Sequence, residues 1–241
     1  MIITQETTVG ETVRRNFTTA RIFEAHKIDF CCGGNISIRE ACEKAGVAAE
    51  ALMSKLESVL EKEDQDSLFI ENLSLKNLTD HILSTHHTYL NGTIPFLLQK
   101  LQKLCDVHGE NHPELFEVKA QFADAGGNLS SHMHKEESIL FPYIRNMEAA
   151  KASDGKLPED PRIEGTIREM MEEHLTEGDR FMKISEITDQ YQVPPDGCST
   201  FEVTYRTLEE FENDLHRHIH LENNVLFPKA VALEKTLREN R

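Results

Sequence analysis

The sequence has 241 residues, enough for one large domain or for a large domain together with a small one. Apolar residues make up 39% of the chain, which is sufficient to bury a core at this length. The 26 Lys and Arg residues are outnumbered by 42 Asp and Glu residues, and the net charge of −16 repels phosphate groups. We therefore expect no nucleic acid and no membrane among the partners.

The N-terminus and the cysteines both favour a cytoplasmic location. No basic region followed by an apolar stretch marks a secretory signal, and no apolar run approaches the roughly 20 residues of a membrane span. The five cysteines are an odd number, and two of them are adjacent, which is not the pattern of a disulfide framework. We expect reduced thiols in a cytoplasmic protein.

Helical patterns dominate the chain, and no segment alternates with a period of two for long enough to predict a sheet. Three short helices are predicted first, near 9–25, 37–45 and 48–62. A charged stretch, 61–66, is expected to be a solvated connection. Four longer helices follow it, near 74–105, 113–150, 161–191 and 200–238. Three pairs have capping-box spacing at predicted helix starts: Thr8 with Glu11, Ser37 with Glu40, and Ser199 with Glu202.

The connections between the four long helices are short and contain helix breakers, at Gly109, within 154–161 and within 194–197. Four long amphipathic helices joined in this way favour an up-down four-helix bundle. We predict an all-α protein with two domains. A small helical domain occupies 1–66, and the bundle occupies 67–241.

The predicted bundle contains an internal repeat. The segment 132–142, HMHKEESILFP, matches 218–228, HIHLENNVLFP, at a displacement of 86 positions. Single histidines on the two preceding helices, His87 and His174, repeat at a displacement of 87. The bundle is therefore interpreted as a duplicated two-helix unit.

The repeated His-x-x-x-Glu pairs predict a metal site, in a chain whose twelve histidines are about twice the usual number. A spacing of four places both side chains on one helix face. One such pair is ordinarily a polar pair at the surface. Two copies in register, each followed by Leu-Phe-Pro, predict burial instead, and buried carboxylates without cations carry a large desolvation cost. Imidazole and carboxylate without thiolate suit iron or manganese. The predicted set binds two metals: His87, His132, Glu136, His174, His218 and Glu222.

The other histidines lie off this face or in loops and are expected at the surface or behind the ligands. They are His26, His81, His86, His108, His112, His134, His216 and His220. The assignment of His87 rather than His86 stays open, because either residue could begin a helix face that points inward.

The adjacent cysteines Cys31 and Cys32 precede two glycines in the small domain. A disulfide between neighbours would be strained and easily reduced, because consecutive Cα atoms are closer than in ordinary disulfides. Reactive thiols, transient metal coordination and a labile disulfide are the functional interpretations, and the nearby start of the 37–45 helix would favour thiolate. Two small buried apolar residues before a turn are an equally good interpretation.

Several motifs together resemble a known family. They are Asp29-Phe-Cys-Cys-Gly-Gly34, Asp80-His-Ile, Ser130-Ser-His-Met-His-Lys-Glu136, Glu173-His174 and the segment 218–228. Over nearly its whole length the chain is similar to the di-iron iron–sulfur cluster repair proteins, the repair-of-iron-centres family. The resemblance implies a haemerythrin-like bundle with two oxo-bridged irons, bound by the six residues named above. The family can have an aromatic residue where this chain has His86.

The resemblance also implies a function and partners. Repair of iron–sulfur proteins damaged by nitric oxide or other small oxidants is the leading hypothesis, with iron supplied from the protein's own site and with homodimers as the assembly. A di-iron nitric oxide reductase and a protein that binds or senses a diatomic gas are the alternatives. All three hypotheses use the same six residues, so the sequence leaves all three open, including whether the protein is an enzyme.

Overall fold

The computed structural model describes residues 3–153 and 162–239, and within them helices are the regular elements. The predicted all-α class is confirmed. The first helices are α1 Val9–Arg15, α2 Ala20–Glu24, α3 Ile38–Ala45, α4 Ala49–Leu60 and α5 Gln65–Glu71. They are followed by α6 Leu75–Ile82, α7 Thr88–His108, α8 Glu114–Lys135, α9 Phe141–Ser153, α10 Ile163–Ile187, α11 Ser199–Leu221 and α12 Phe227–Glu239.

Three π-helical turns join pairs of these helices end to end. Leu83–His87 joins α6 to α7, Glu136–Leu140 joins α8 to α9, and Glu222–Leu226 joins α11 to α12. With α10, the joined helices correspond to the four long helices predicted from sequence. The predicted breakers within 154–161 lie outside the described residues.

Two of the three predicted N-cap residues cap their helices at the predicted starts. Thr8 Oγ1 accepts the N–H of Glu11, and Ser37 Oγ accepts the N–H of Glu40, each at 3.1 Å. The prediction for Ser199 is wrong by one residue, because Ser199 is already helical and the Cys198 carbonyl accepts the N–H of Glu202 at 3.1 Å. The turn closed by the Gly197 N–H on the Pro194 carbonyl brings the chain into the helix earlier.

The charged stretch 61–66 is exposed, as expected, except at the half-buried Asp64, whose hydrogen bonds tie the stretch to other segments. Asp64 Oδ2 accepts the N–H of Phe17 at 3.2 Å and the hydroxyl of Ser67 at 2.6 Å. Asn16 Nδ2 donates to the Lys62 carbonyl at 3.1 Å. These bonds fasten the start of α5 to the chain before α2, which the charge pattern did not indicate.

The chain divides into two compact units, and the first contains the described residues of 1–79, 144–164 and 219–241. Its core includes Val9, Phe23 and Leu56, all fully buried. Gly10 lies close to the π turn that precedes α12. A Cβ atom at position 10 would be 2.2 Å from Asn224 Oδ1. A side chain at position 10 therefore requires the Asn224 side chain to move.

The second unit contains 80–143 and the described residues of 165–218. Phe122, Phe181 and Phe211 form a buried triangle with ring centroids 5.3 to 6.3 Å apart. Burying each of these rings stabilises the fold by about 2–3 kcal/mol. In the described part of the chain, no helix is both long enough and apolar enough for a transmembrane segment.

Candidate metal centre

The carboxylate of Glu136 lies between imidazoles from two different helices of the second unit. Its Oε2 is 3.4 Å from His87 Nε2, and its Oε1 is 3.4 Å from His132 Nε2. Each of its oxygens thus faces a different histidine. This arrangement allows a single carboxylate to bridge two metals.

The other two predicted histidines, His174 and His218, each lie beside one of these imidazoles. His174 Nε2 lies 3.0 Å from His132 Nε2, and the His218 ring is 5.0 Å from the His87 ring between centroids. All of these side chains are buried. The structure therefore brings the predicted histidines together around Glu136.

Two groups of four side chains have one ligand atom apiece within 4.8 Å of one another. One group is His87, Glu136, His218 and Glu222, and the other is His132, Glu136, His174 and Glu222. Both glutamates belong to both groups. Glu222 follows His218 by four residues along the same helical rod, which matches the spacing from His132 to Glu136.

The donor set fits a pair of cations. Glu136 is fully buried, and neither of its carboxylate oxygens accepts a hydrogen bond from the described residues. An ionised carboxylate in that state is strongly destabilised unless a cation is present. Nitrogen and oxygen donors without sulfur suit iron or manganese better than structural zinc.

The π turns occur where the candidate ligands are. His87 ends the first π turn, and Glu136 and Glu222 begin the other two. Such turns are uncommon and are found frequently at functional sites. Sequence reasoning treated these segments as regular helix. The signal for two of these turns is a proline two residues after the turn, Pro142 or Pro228. Proline has no N–H, and its ring clashes with the carbonyl four residues earlier, so the regular helical hydrogen bond cannot form there.

Two further carboxylates contact the Nδ1 atoms of candidate ligand histidines. His87 Nδ1 lies 2.8 Å from Glu137 Oε1, and His132 Nδ1 lies 2.7 Å from Glu173 Oε2. A ring that donates its Nδ1 proton to a carboxylate presents Nε2 to a metal with a fixed orientation and raised basicity. Sequence reasoning did not identify these partners, although Glu137 and Glu173 are each adjacent in sequence to a candidate ligand.

Glu173 is held in its ionised form by its neighbours. Partial burial opposes ionisation, but the hydrogen bonds from Lys135 and His132 outweigh it, so the pKa of Glu173 is lowered. The same contact with Glu173 raises the pKa of Lys135. The His132 ring therefore rests on a carboxylate that stays charged at neutral pH.

Two histidines expected at the surface or behind the ligands are buried in the protein. His86 lies outside both four-residue groups, and its Nδ1 is 2.9 Å from Asp214 Oδ1. Its ring is parallel to that of His218 at a centroid distance of 5.5 Å. His220 packs against Phe17 and Phe30 in the first unit. His86 therefore lies behind a candidate ligand, which is one of its two expected positions. The expectation is wrong for His220, because two aromatic rings cover it and it lies outside both four-residue groups.

Cys31 and Cys32 form a compact thiol loop with Asp29 in the first unit. The two cysteines are not joined by a disulfide, and their Sγ atoms are 3.7 Å apart. Asp29 Oδ1 accepts the N–H groups of both cysteines at 2.9 Å, and its Oδ2 accepts that of Gly33 at 2.8 Å. One ligand atom from each of Asp29, Cys31 and Cys32 lies within 4.8 Å of the others.

The pKa of Cys31 is raised well above the ordinary value for a thiol. The hydrogen bond with Cys32 is the main cause, followed by burial and by the negative charge of Asp29. The expectation that the dipole of the following helix favours thiolate is therefore wrong for Cys31. Local charge and burial outweigh the dipole, and Cys31 is a neutral thiol at neutral pH.

A bundle of joined long helices with a buried His and Glu cluster defines a haemerythrin-type cation-binding protein. Residues 78–230 match the model of the hemerythrin HHE cation binding domain. Residues 5–60 match the ScdA_N model, which is described as a domain of unknown function.

Two full-length relatives specify the family. The chain is 32% identical over 228 residues to the iron–sulfur cluster repair protein ScdA of Staphylococcus haemolyticus, across 95% of this chain and 99% of that protein. It is 33% identical over 214 residues to the iron–sulfur cluster repair protein YtfE of Yersinia pseudotuberculosis, across 89% and 91%. The chain belongs to the ScdA/YtfE family of iron–sulfur cluster repair proteins, and the predicted family is confirmed.

Proposed function

We propose that this protein repairs iron–sulfur clusters damaged by nitric oxide or other small oxidants, and that it does so by supplying iron. Membership of the ScdA/YtfE family supports the repair activity. The structural observation that carries the proposal is the buried carboxylate of Glu136, whose two oxygens each face an imidazole from a different group. Two irons would lie on either side of this carboxylate.

Each iron would have its own pair of histidines, and the two irons would share both glutamates. His87 and His218 would bind one iron, His132 and His174 the other, and Glu136 and Glu222 both, with an oxo bridge between the metals. When bound, the pair supplies redox-active Lewis acids and the iron that repair consumes. Glu137 and Glu173 contact the Nδ1 atoms of His87 and His132 and so orient these imidazoles.

The donor atoms of this site account for the release of iron in the proposal. A site with imidazole and carboxylate donors competes weakly for iron with a protein that offers several thiolates, because thiolates are the preferred ligands of iron–sulfur clusters. The proposed direction of transfer is therefore from this protein to a cysteine-rich cluster site. The partners in this proposal are damaged iron–sulfur proteins in the cytoplasm, and the assembly is a homodimer.

Cys31 and Cys32 are included in the proposal as thiols that assist repair once deprotonated, a step that the raised pKa of Cys31 disfavours at neutral pH. The backbone N–H groups of both cysteines donate to Asp29 Oδ1, which holds the two thiols next to each other. We assign them to a small domain, 1–66, and the irons to the bundle, 67–241.

The direct test is iron transfer. Protein loaded with isotopically labelled iron is mixed anaerobically with a cluster enzyme inactivated by nitric oxide, and the label and activity are followed in the separated proteins. Loss of iron here with matching gain there supports the proposal. Repeated turnover of nitric oxide with an electron donor and no iron loss would establish a reductase instead, and reversible gas binding alone would establish a sensor.

A further inference from the structure

The imidazole of His86 is stacked on the imidazole of His218, which is a candidate iron ligand. The two rings are within 2° of parallel, and their centroids are 5.5 Å apart. Both side chains are buried in the second unit. His86 lies outside both four-residue groups, so its ring contacts a candidate ligand without belonging to the ligand set.

A carboxylate holds the His86 ring in this position. Asp214 Oδ1 is 2.9 Å from His86 Nδ1, and Asp214 precedes His218 by four residues on α11. That spacing places the carboxylate and the candidate ligand on the same face of the helix. His86 therefore contacts two successive turns of α11, one through its Nδ1 atom and the other through its ring face.

The π turn that ends at His87 directs two neighbouring histidines to different contacts. His87 Nε2 lies 3.4 Å from Glu136 Oε2, whereas His86 Nδ1 lies beside Asp214. The His87 ring meets the His218 ring at an angle of 67°, with centroids 5.0 Å apart. Two imidazoles from one turn therefore restrict the His218 ring, and only one of the two is a candidate ligand.

The internal repeat gives the contact between His86 and His218 a counterpart. At a displacement of 87, His86 corresponds to Glu173, and at a displacement of 86, His132 corresponds to His218. Glu173 Oε2 lies 2.7 Å from His132 Nδ1. In both copies, the residue before one histidine of a pair thus contacts the second histidine of that pair. The contact is with the edge of the ring in one copy and with its face in the other.

We propose that His86 is a positioning residue for His218, and that it slows the loss of the iron that His87 and His218 would hold. Asp214 contributes because it fixes the His86 ring. A ligand that is already held in its binding orientation loses less conformational freedom when the metal binds. This inference rests on the proposed di-iron site and adds how one of its two histidine pairs is held.

The first test measures iron release to an excess of chelator from protein verified to contain two labelled irons per chain. His86→Ala should release its first iron about tenfold faster, and its Mössbauer spectrum should show one of two iron environments changed. His86→Phe keeps a ring at this position and should restore most of the slow release. An unchanged release rate in His86→Ala, equal changes at both irons, or no rescue by His86→Phe would overturn the inference. Failure to load two irons would instead contradict the proposed function.

The second test asks whether Asp214 acts through His86. Asp214→Ala should also speed iron release, but adding it to His86→Ala should cause no further change, because the ring that it anchors is already absent. Asn213→Ala, at the neighbouring exposed position, is the matched control and should release iron at the original rate. Additive effects of the two replacements would show that Asp214 acts independently of His86 and would overturn its assigned role.

A stability control separates positioning from general destabilisation. Leu104→Val removes one carbon from a buried side chain of α7, about 25 Å along the helix from His87. It should lower the free energy of unfolding and leave the rate of iron release unchanged. Equally fast release in Leu104→Val and His86→Ala would attribute the effect to stability and overturn the inference.

Discussion

Asn223 donates a hydrogen bond from Nδ2 to the backbone carbonyl of Cys31 at 3.2 Å. Asn223 directly follows the candidate ligand Glu222, and Cys31 is one of the two adjacent thiols. The π turn that begins with Glu222 therefore also positions the thiol loop. Asn224 adds a second bond to the same carbonyl at 3.3 Å.

Replacing Asn223 with alanine should loosen the thiol loop without removing a candidate ligand. The lost hydrogen bond should lower the free energy of unfolding by about 1 kcal/mol. Cys31 should then be alkylated faster in the folded protein, as measured by mass spectrometry. Asn213→Ala, on an exposed position of α11, is the control and should change neither quantity. Unchanged alkylation in Asn223→Ala would mean that the bond does not restrain the loop.

Replacing Cys31 and Cys32 together with serine should separate the thiols from the irons. Neither cysteine belongs to the two His and Glu groups, so iron content and the absorption band of the oxo bridge should be unchanged. Cluster repair should fall if the thiols relay iron or nitric oxide, because thiolate is the reactive form. Loss of both irons with intact helical content would show that the cysteines support the metal centre directly.

Replacing His87 and His86 one at a time should distinguish a ligand from its neighbour. His87→Ala should lower iron content to about one per chain or less, because His87 Nε2 faces Glu136. His86→Ala should keep iron near two per chain but lose the bond to Asp214, at a cost of about 1–3 kcal/mol of stability. Metal analysis and chemical denaturation measure the two effects. The reverse pattern would move the ligand by one residue.

Replacing Glu173 with glutamine should test the carboxylate behind His132. Glutamine keeps the shape but removes the charge, so iron affinity should fall by about ten- to a hundredfold. Iron released to a chelator at equilibrium reports this affinity. Glu172→Gln, one position earlier and exposed, is the control. Equal affinities in the two variants would make the contact between His132 and Glu173 irrelevant to the metal.

The thiols should differ in the pH dependence of alkylation. A hydrogen bond from the Phe201 N–H, followed by one from His108, lowers the pKa of Cys198 to about 7. A lowered thiol pKa populates thiolate at lower pH, so the alkylation rate of Cys198 should reach half its maximum near pH 7. Cys31, whose pKa is raised, should react only in more alkaline solution. Peptide mass spectrometry after timed alkylation measures both, and His108→Ala should shift the Cys198 profile upward.

Much of the metal centre could be predicted because it depends on spacing within single helices. His132 with Glu136, and His218 with Glu222, share a face by helical rotation alone, whatever the packing. The repeat then relates the two halves and requires both faces to meet in one interior. The all-α class, the capping boxes at Thr8 and Ser37, and the family were accessible for the same reason, since each depends on local sequence.

Other features depend on contacts between helices that are far apart in sequence. The pairing of His132 with Glu173 joins positions 41 residues apart, and that of His86 with Asp214 joins positions 128 apart. The membership of His87 rather than His86 in the cluster depends on the π turn that ends at His87. A π turn contains one extra residue, so it changes the direction in which the side chains after it point. A regular helical period in the sequence therefore does not show which histidine faces the cluster.

Sequence alone therefore determined the helical class, the duplicated His and Glu pairs that are candidate ligands, and the family, because helix geometry and motif identity are local properties. Only the tertiary structure decided which carboxylates support the imidazoles and that the pKa of Cys31 is raised. The two copies have the same pattern of candidate ligands, but different side chains contact them: His86 stacks on His218, and Glu173 contacts His132. Packing is a property of the assembled interior, where volume and charge from distant segments meet.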